Sequence, residues 1–281
     1  MRDGRQRRDR AGAALTALVA TVAMVVLAAC SGAKADNQAQ ATSSSATTSA
    51  PVTTVAPTTT QPTARPKPAT KPKPAAKAKP KPALKLQLGS EGAAVAALQR
   101  QLLALGYEVP AADGEFGSET SHAVVAFQKV NGLSRDAVAG PLTLAALKHP
   151  KLPSPRSRTS GFHVEANLTL QVVYLVQDGK VTRILDASSG SGRAYSENGH
   201  SGVAITPLGN FKVQRKINGW HKSALGLLYR PAFFDGGFAL HGAPAVPPFP
   251  ASHGCIRITI AAMNTLYDHL PVGTPVLVYR S

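Results

Sequence analysis

Near the end of the chain, Ser252-His253-Gly254-Cys255-Ile256-Arg257 places a thiol, an imidazole and a guanidinium within six residues. A second imidazole, His241, closes the apolar run Phe238-Ala239-Leu240 and is followed by Gly242. A loop holding Pro244, Pro247, Pro248 and Pro250 joins the two segments. Such a stiff excursion can fold back and bring His241 to Cys255. A thiol beside a base suits attack on a carbonyl through a covalent thioester, because the thiolate is the nucleophilic form. Gly254 lets a substrate approach the backbone, whose amides near Cys255 can hold a developing oxyanion. Arg257 suits a two-pronged grip on a carboxylate, or steadies the loop. In an extended segment His253 faces the same side as Cys255, which alone does not make it the base.

Other chemistries fit less well. Zinc is the sharpest rival for Cys255, His241 and His253, but a clear fourth ligand is missing, so no metal or other cofactor is expected. Ser252 lies in no nucleophile elbow. His122, His149, His163, His200, His221 and His269 read as surface or hydrogen-bonding residues.

The elements that must position these groups occupy only part of the 281 residues. Residues 1–10 hold five arginines, and residues 11–29 are apolar apart from Gly12, Thr16 and Thr21, ending at Leu27-Ala28-Ala29-Cys30. A charged head, an apolar stretch and a small-residue exit read as a secretory signal. An uncleaved anchor is the alternative, since about 18 apolar residues span a bilayer. Either way the remainder is expected outside the cytoplasmic membrane. The net charge of +16 lies mainly in residues 1–86, which hold 14 Lys and Arg against 3 acids. With no basic stripe interleaved with aromatics in the folded part, nucleic acid is not an expected partner. Anionic headgroups or wall polymers are.

Residues 30–83 pass from Ser/Thr/Ala to a Lys-Pro-Ala tract, a composition unable to bury enough surface to order itself. They read as a disordered, extended tether. From Leu84 helical spacing begins, in Val95, Leu98 and Leu102, then in Ala123, Val124 and Phe127. A short helix is expected over 142–148. Leu98-Gln99 and Phe127-Gln128 suggest a weak internal duplication. Residues 149–160 read as a proline-rich hinge. Beyond it the signals are mostly β. One alternating segment runs over 163–176, a hairpin turn sits at Gln177-Asp178-Gly179-Lys180, and a polar loop extends from Gly190 to about Gly202. A strand follows over 211–215, then a helix over 260–270 capped by Thr259, and a last strand over 275–279.

The helical unit resembles the small peptidoglycan-binding domain, through Gly89-Ser90-x-Gly92, Leu105-Gly106-Tyr107, Asp113-Gly114-x-Phe116-Gly117 and Gly140-Pro141-x-Thr143. Ala137 stands where that family often has glycine. Residues 162–281 resemble the YkuD-type L,D-transpeptidase domain. The carriers are Thr206-Pro207-x-Gly209-x-Phe211, Leu240-His241-Gly242, the Cys255 segment and Pro271-x-Gly273-Thr274-Pro275-Val276. The segment ending at Cys30 resembles a lipobox, which implies a lipid on that sulfur and a free Cys255.

These resemblances imply a fold of several parts: a signal at 1–29, the tether at 30–83, an all-α domain at 84–148, a linker at 149–160 and a mainly β catalytic domain at 161–281. They imply Cys255 as nucleophile and His241 as proton donor and acceptor. The Gly242 carbonyl would orient His241, His253 and Gly254 would shape the oxyanion site, and Arg257 and Ser252 would bind substrate. The implied reaction joins peptidoglycan stem peptides 3→3 with release of D-alanine. Hydrolysis, attachment of a protein to the wall and a non-catalytic wall-binding role are the alternatives. Glycan and stem peptides are the implied partners, carbapenem-type β-lactams plausible inhibitors, and the outer face of the cytoplasmic membrane the implied location.

Overall fold

The computed structural model describes residues 84–281. The expected signal, Cys30 and the tether lie outside the described residues.

Three helices come first, α1 (Ala93–Ala104), α2 (Ser118–Asn131) and α3 (Pro141–Ala146). α1 buries Val95, Leu98, Gln99 and Leu102, one helix face. α2 is buried without a break from Ala123 to Asn131, since it is covered from more than one side. Gly132, at φ 70, closes it in the left-handed conformation.

The duplication is written in hydrogen bonds. Gln99 Nε2 donates to Asp113 Oδ1 (2.8 Å), the Glu115 carbonyl (2.9 Å) and the Thr120 hydroxyl (3.0 Å), while its Oε1 accepts from the Gly114 amide (2.8 Å). Gln128 Nε2 donates to Asp136 Oδ1 (2.7 Å), the Val138 carbonyl (3.1 Å) and the Thr143 hydroxyl (3.2 Å), and its Oε1 accepts from the Ala137 amide (3.1 Å). Each buried amide side chain thereby satisfies a turn that would otherwise leave backbone groups unpaired.

The β part begins with β1 (Phe162–Asn167), β2 (Val172–Gln177) and β3 (Lys180–Asp186). A hairpin follows, β4 (Ala194–Glu197) with β5 (His200–Val203), and then β6 (Gly209–Lys212), β7 (Arg215–Lys216), β8 (Trp220–Ser223) and β9 (Gly226–Asp235). β10 (Phe238–Ala243), β11 (Ile256–Thr259), α4 (Ile260–Leu266) and β12 (Pro275–Tyr279) complete it. One sheet has the order β3-β2-β1-β12-β6; the other runs β11-β10-β9-β7, with β8 also on β9. Thr259 caps α4, its hydroxyl accepting from the Ala262 amide at 3.0 Å. Between β2 and β3, Asp178 (φ 51) and Gly179 (φ 71) supply the left-handed pair that a two-residue hairpin demands.

Four expectations change. The segment over 163–176 is two strands, because Asn167 Oδ1 accepts from the Thr169 and Leu170 amides and turns the chain without glycine or proline. The polar loop after Gly190 contains the β4–β5 hairpin. The strand expected over 211–215 divides into β6 and β7, which belong to different sheets, and β8 and β9 carry no signal in the sequence. The hinge over 149–160 is a pinned strap: the Lys151 amide donates to Asn131 Oδ1, and the Arg156 and Ser157 amides donate to the buried Glu165 carboxylate.

The first sheet is covered on both faces. Val164, Ala166, Val173 and Leu175 meet Phe234, Leu240, Ile256 and α4 in one core. Val172, Tyr174, Val176 and Ile184 join Leu102, Tyr107, Phe127 and Val130 of the helical part in another. β2 therefore reads as a continuous apolar run.

In the first copy of the duplicated turn Gly114 sits at φ 83; in the second, Ala137 is held at φ 61. A Cβ in this region costs about 1–2 kcal/mol, partly offset by glycine's greater freedom when unfolded. Ala137→Gly is therefore expected to stabilise the protein by about 0.5–1 kcal/mol, read as a higher thermal midpoint. An unchanged or lower midpoint would count against the strain.

Candidate functional site

Strands β10 and β11 run parallel, with Leu240 beside Ile256 and His241 beside Arg257. Successive side chains alternate between faces. Leu240, Ile256 and Ile258 enter the core. His241, Cys255 and Arg257 leave the opposite face and line one cavity of about 640 Å³, within the usual range for ligand pockets. The apolar alternation that builds the core thus also sorts the reactive groups onto one surface.

The His241 ring is buried, 4% exposed. Its Nδ1 lies 2.9 Å from the Gly242 carbonyl. A carbonyl only accepts, so Nδ1 carries the proton and Nε2 keeps its lone pair. Burial lowers the imidazole pKa to about 4, with the Gly242 hydrogen bond pulling upward and Arg257 adding to the fall. Cys255 is a free cysteine, half-buried, its Sγ 3.7 Å from the Gly237 carbonyl. Burial raises its pKa above the ordinary thiol value, against the opposing pull of the Ala239 backbone and Arg257. At neutral pH the site holds a neutral thiol and a neutral imidazole, not a standing ion pair. Among the described residues no carboxylate pairs with Arg257.

The loop before Cys255 is braced from within. Ser252 Oγ donates to the Cys255 carbonyl at 2.5 Å and accepts from the Gly254 amide at 3.0 Å. Two of the expected site residues take part in this bracing. Ser252 is 2% exposed, its hydroxyl bonds within the loop, and it also lines the cavity. The Gly254 amide is the donor to that hydroxyl. Among the described residues the His253 and Cys255 amides donate to no loop partner. Gly254 matters for another reason: at φ 138, a Cβ there would lie 2.5 Å from Phe238 Cε1 and 2.9 Å from the Ile205 carbonyl. A Cβ at Gly242 would meet Tyr229 and Met263 at 3.0 and 3.1 Å.

The His253 ring turns away to the β4–β5 hairpin, with Nε2 3.3 Å from Glu197 Oε2 and its edge against Tyr195. That hairpin brings Tyr195, His200 and Val203 to the cavity, and the β8–β9 turn brings Leu225 and Leu227. Asn198 Nδ2 donates to the Ala224 carbonyl at 3.0 Å, joining the two tips. His200, read from sequence as a surface residue, is exposed and also lines the cavity. Tyr195 and the leucines gave no signal, since neither hairpin was legible. Among the described residues no three His, Cys, Asp or Glu side chains gather as metal ligands.

Residues 161–278 match the L,D-transpeptidase catalytic domain model, and residues 91–147 match a putative peptidoglycan binding domain. An L,D-transpeptidase from Xylanimonas cellulosilytica, solved over its residues 123–326, is 47% identical and superimposes with a TM-score of 0.68. The match covers 72% of this chain and 100% of that one. The chain belongs to the L,D-transpeptidase family. Two amidases of Bacillus licheniformis are also similar. One, a probable N-acetylmuramoyl-L-alanine amidase, is 45% identical over 64 residues, 22% of this chain and 18% of its own length. The other is 35% identical over 89 residues, 30% of this chain and 25% of its own length. The chain thus spans a quarter or less of these curated relatives. Its L,D-transpeptidase domain carries the thiol cavity, and a peptidoglycan-binding helical domain precedes it.

The crowding around Gly254 can be measured. Gly254→Ala forces Phe238 or the 205 backbone to move, and is expected to cost about 1–3 kcal/mol and to change the Cys255 alkylation rate in the folded protein. An unaltered thermal midpoint together with an unaltered rate would contradict the placement.

Proposed function

We propose that the protein cross-links peptidoglycan stem peptides 3→3 by a cysteine thioester. The observation that carries the reading is that Cys255, His241 and Arg257 line one cavity, His241 and Arg257 side by side on the sheet and Cys255 just before β11. Family membership supports peptidoglycan cross-linking or a related activity.

In this reading Cys255 Sγ attacks the carbonyl carbon of the third stem residue while His241 Nε2 takes the thiol proton. The His253 and Cys255 amides are the loop's available donors for the resulting oxyanion. Collapse breaks the C–N bond to D-alanine, whose nitrogen receives the proton from His241. An amine of a neighbouring stem then attacks the thioester, its proton passing to His241 and on to the departing sulfur. Arg257 holds a substrate carboxylate or supports the loop. The helical domain binds wall glycan, and Cys30 carries a lipid that anchors the protein on the outer face of the cytoplasmic membrane. A carbapenem-type β-lactam, whose strained carbonyl mimics the donor, acylates Cys255.

Two measurements test the reaction. Incubation with a disaccharide-tetrapeptide should release D-alanine and give a dimer by mass spectrometry, and Cys255→Ala should give neither product nor adduct. Release without a dimer would mean hydrolysis, and an adduct on Cys255→Ala would remove the nucleophile assignment. The second is a pH profile. Burial holds His241 to about 4, so the base is neutral above that value and protonated below it. Carbapenem acylation should persist from pH 7 to about 5 and fall as pH drops through about 4. A fall centred near the ordinary imidazole value of about 6.5 would show that the base is not this buried histidine.

A further inference from the structure

The thiol loop hangs from one short segment. The Ser188 amide donates to the Arg257 carbonyl (3.0 Å) and the Arg257 amide to the Ser188 carbonyl (2.9 Å). Ser188 Oγ donates to the Phe249 carbonyl (2.7 Å), and the Ala251 and Ser252 amides both donate to the Ser189 carbonyl (2.9 Å each). The Ser191 amide donates to the Ser252 carbonyl (2.9 Å). Residues 188–191 are therefore the frame on which 249–257, and so Cys255, is held.

That frame is gripped at its root from the helical domain. Lys129, on α2, has a fully buried side chain. Its Nζ donates to Asp186 Oδ1 (2.5 Å), the Ala187 carbonyl (2.8 Å) and the Gln171 carbonyl (2.9 Å). Three donors meet three acceptors, so the ammonium is satisfied. Gln171 in turn bonds Ser189 twice, its Nε2 donating to Ser189 Oγ (2.7 Å) and its Oε1 accepting from the Ser189 amide (2.8 Å). Two further contacts run the same way. Arg135 Nη1 donates to the Pro248 carbonyl (3.0 Å), and Glu119 Oε2 accepts from the Thr259 hydroxyl (2.8 Å) at the end of β11. The helical domain thus bonds to the chain just before the thiol segment, to the root of the frame that holds it, and to the chain just after it.

We infer that Lys129 is a positioning residue for the thiol, and that the helical domain is a structural part of the active site as well as a wall-binding unit. The inference rests on Cys255 being the nucleophile. Lys129 touches no reacting atom; it fixes the 186–189 backbone, which fixes the loop. A displacement of about 1 Å at a reacting atom lowers rates on the order of a hundredfold.

The test uses the full-length protein with Lys129→Met, which removes the ammonium at similar length. His122 Nδ1, 2.7 Å from Asp186 Oδ2, leaves that carboxylate one partner. Acylation by a carbapenem is followed by mass spectrometry, separating the fraction of thiol that reacts from its rate constant. Amide exchange is measured in parallel at Ala251, Ser252 and Arg257, with Leu98 and Phe127 as internal references. The expected result is a full reactive fraction, a rate constant about 10- to 100-fold lower, and faster exchange in the thiol loop alone. A reduced fraction reacting at the wild-type rate would reveal a merely structural lysine and overturn the inference. Should the variant not fold, Arg135→Ala decides, with a loss of about two- to fivefold expected and an unchanged rate overturning it. If wild-type Cys255 takes no acyl group, the proposed reaction fails by itself. The exchange data then judge the positioning claim alone, and unchanged loop protection would end it.

Discussion

Along β2 the first sheet has no solvent face: Val173 and Leu175 enter one core, while Val172, Tyr174 and Val176 enter the other. Each large apolar side chain buried this way stabilises by about 1.5–3 kcal/mol relative to exposure. The helical domain is therefore not a separable bead beside the enzyme. Its α2 closes the outer face of the sheet, and the strap over 149–160 is fastened at both ends. The frame that holds the thiol loop, residues 188–191, follows directly on the covered strand pair β2–β3.

The cavity chemistry is set by low dielectric more than by charge pairing. Burial pushes the Cys255 thiol up and His241 down, so both groups rest neutral. In the proposed reaction such a neutral pair would transfer its proton during attack, with the loop amides and Arg257 placed to stabilise charge as it develops. The Gly242 carbonyl selects the tautomer that leaves the Nε2 lone pair free. Gly242 itself cannot carry a side chain without meeting Tyr229 and Met263, which ties the orienting carbonyl to the packing behind it.

Much of this was legible in the sequence. The Ser252–Arg257 segment, His241-Gly242 and the glutamines at 99 and 128 all carried readable signals, because glycine, proline and chemistry-bearing residues mark turns and sites by type. The fold class was legible for the same reason. What failed to show was packing against distant partners. The β4–β5 hairpin is almost wholly exposed and has no apolar alternation to announce it. The turn at Asn167 lacks the usual glycine or proline. Lys129, near the end of an amphipathic helix, looks like a solvated cation, and only its carbonyl and carboxylate partners some 42 to 58 residues away reveal otherwise. The bonds that Ser252 makes within its own loop were equally invisible, since a hydroxyl beside a thiol gives no sign of its partners in sequence.

A sulfur that stays protonated at rest is also one that peroxides find slowly, because oxidation to the sulfenic acid proceeds through the anion. The burial that holds the Cys255 thiol protonated thus also slows its oxidation. Reagents that rely on a ready-made thiolate are poorly matched to such a centre. Those bringing a reactive acyl group under the joined hairpin tips meet the imidazole and the thiol in one cavity.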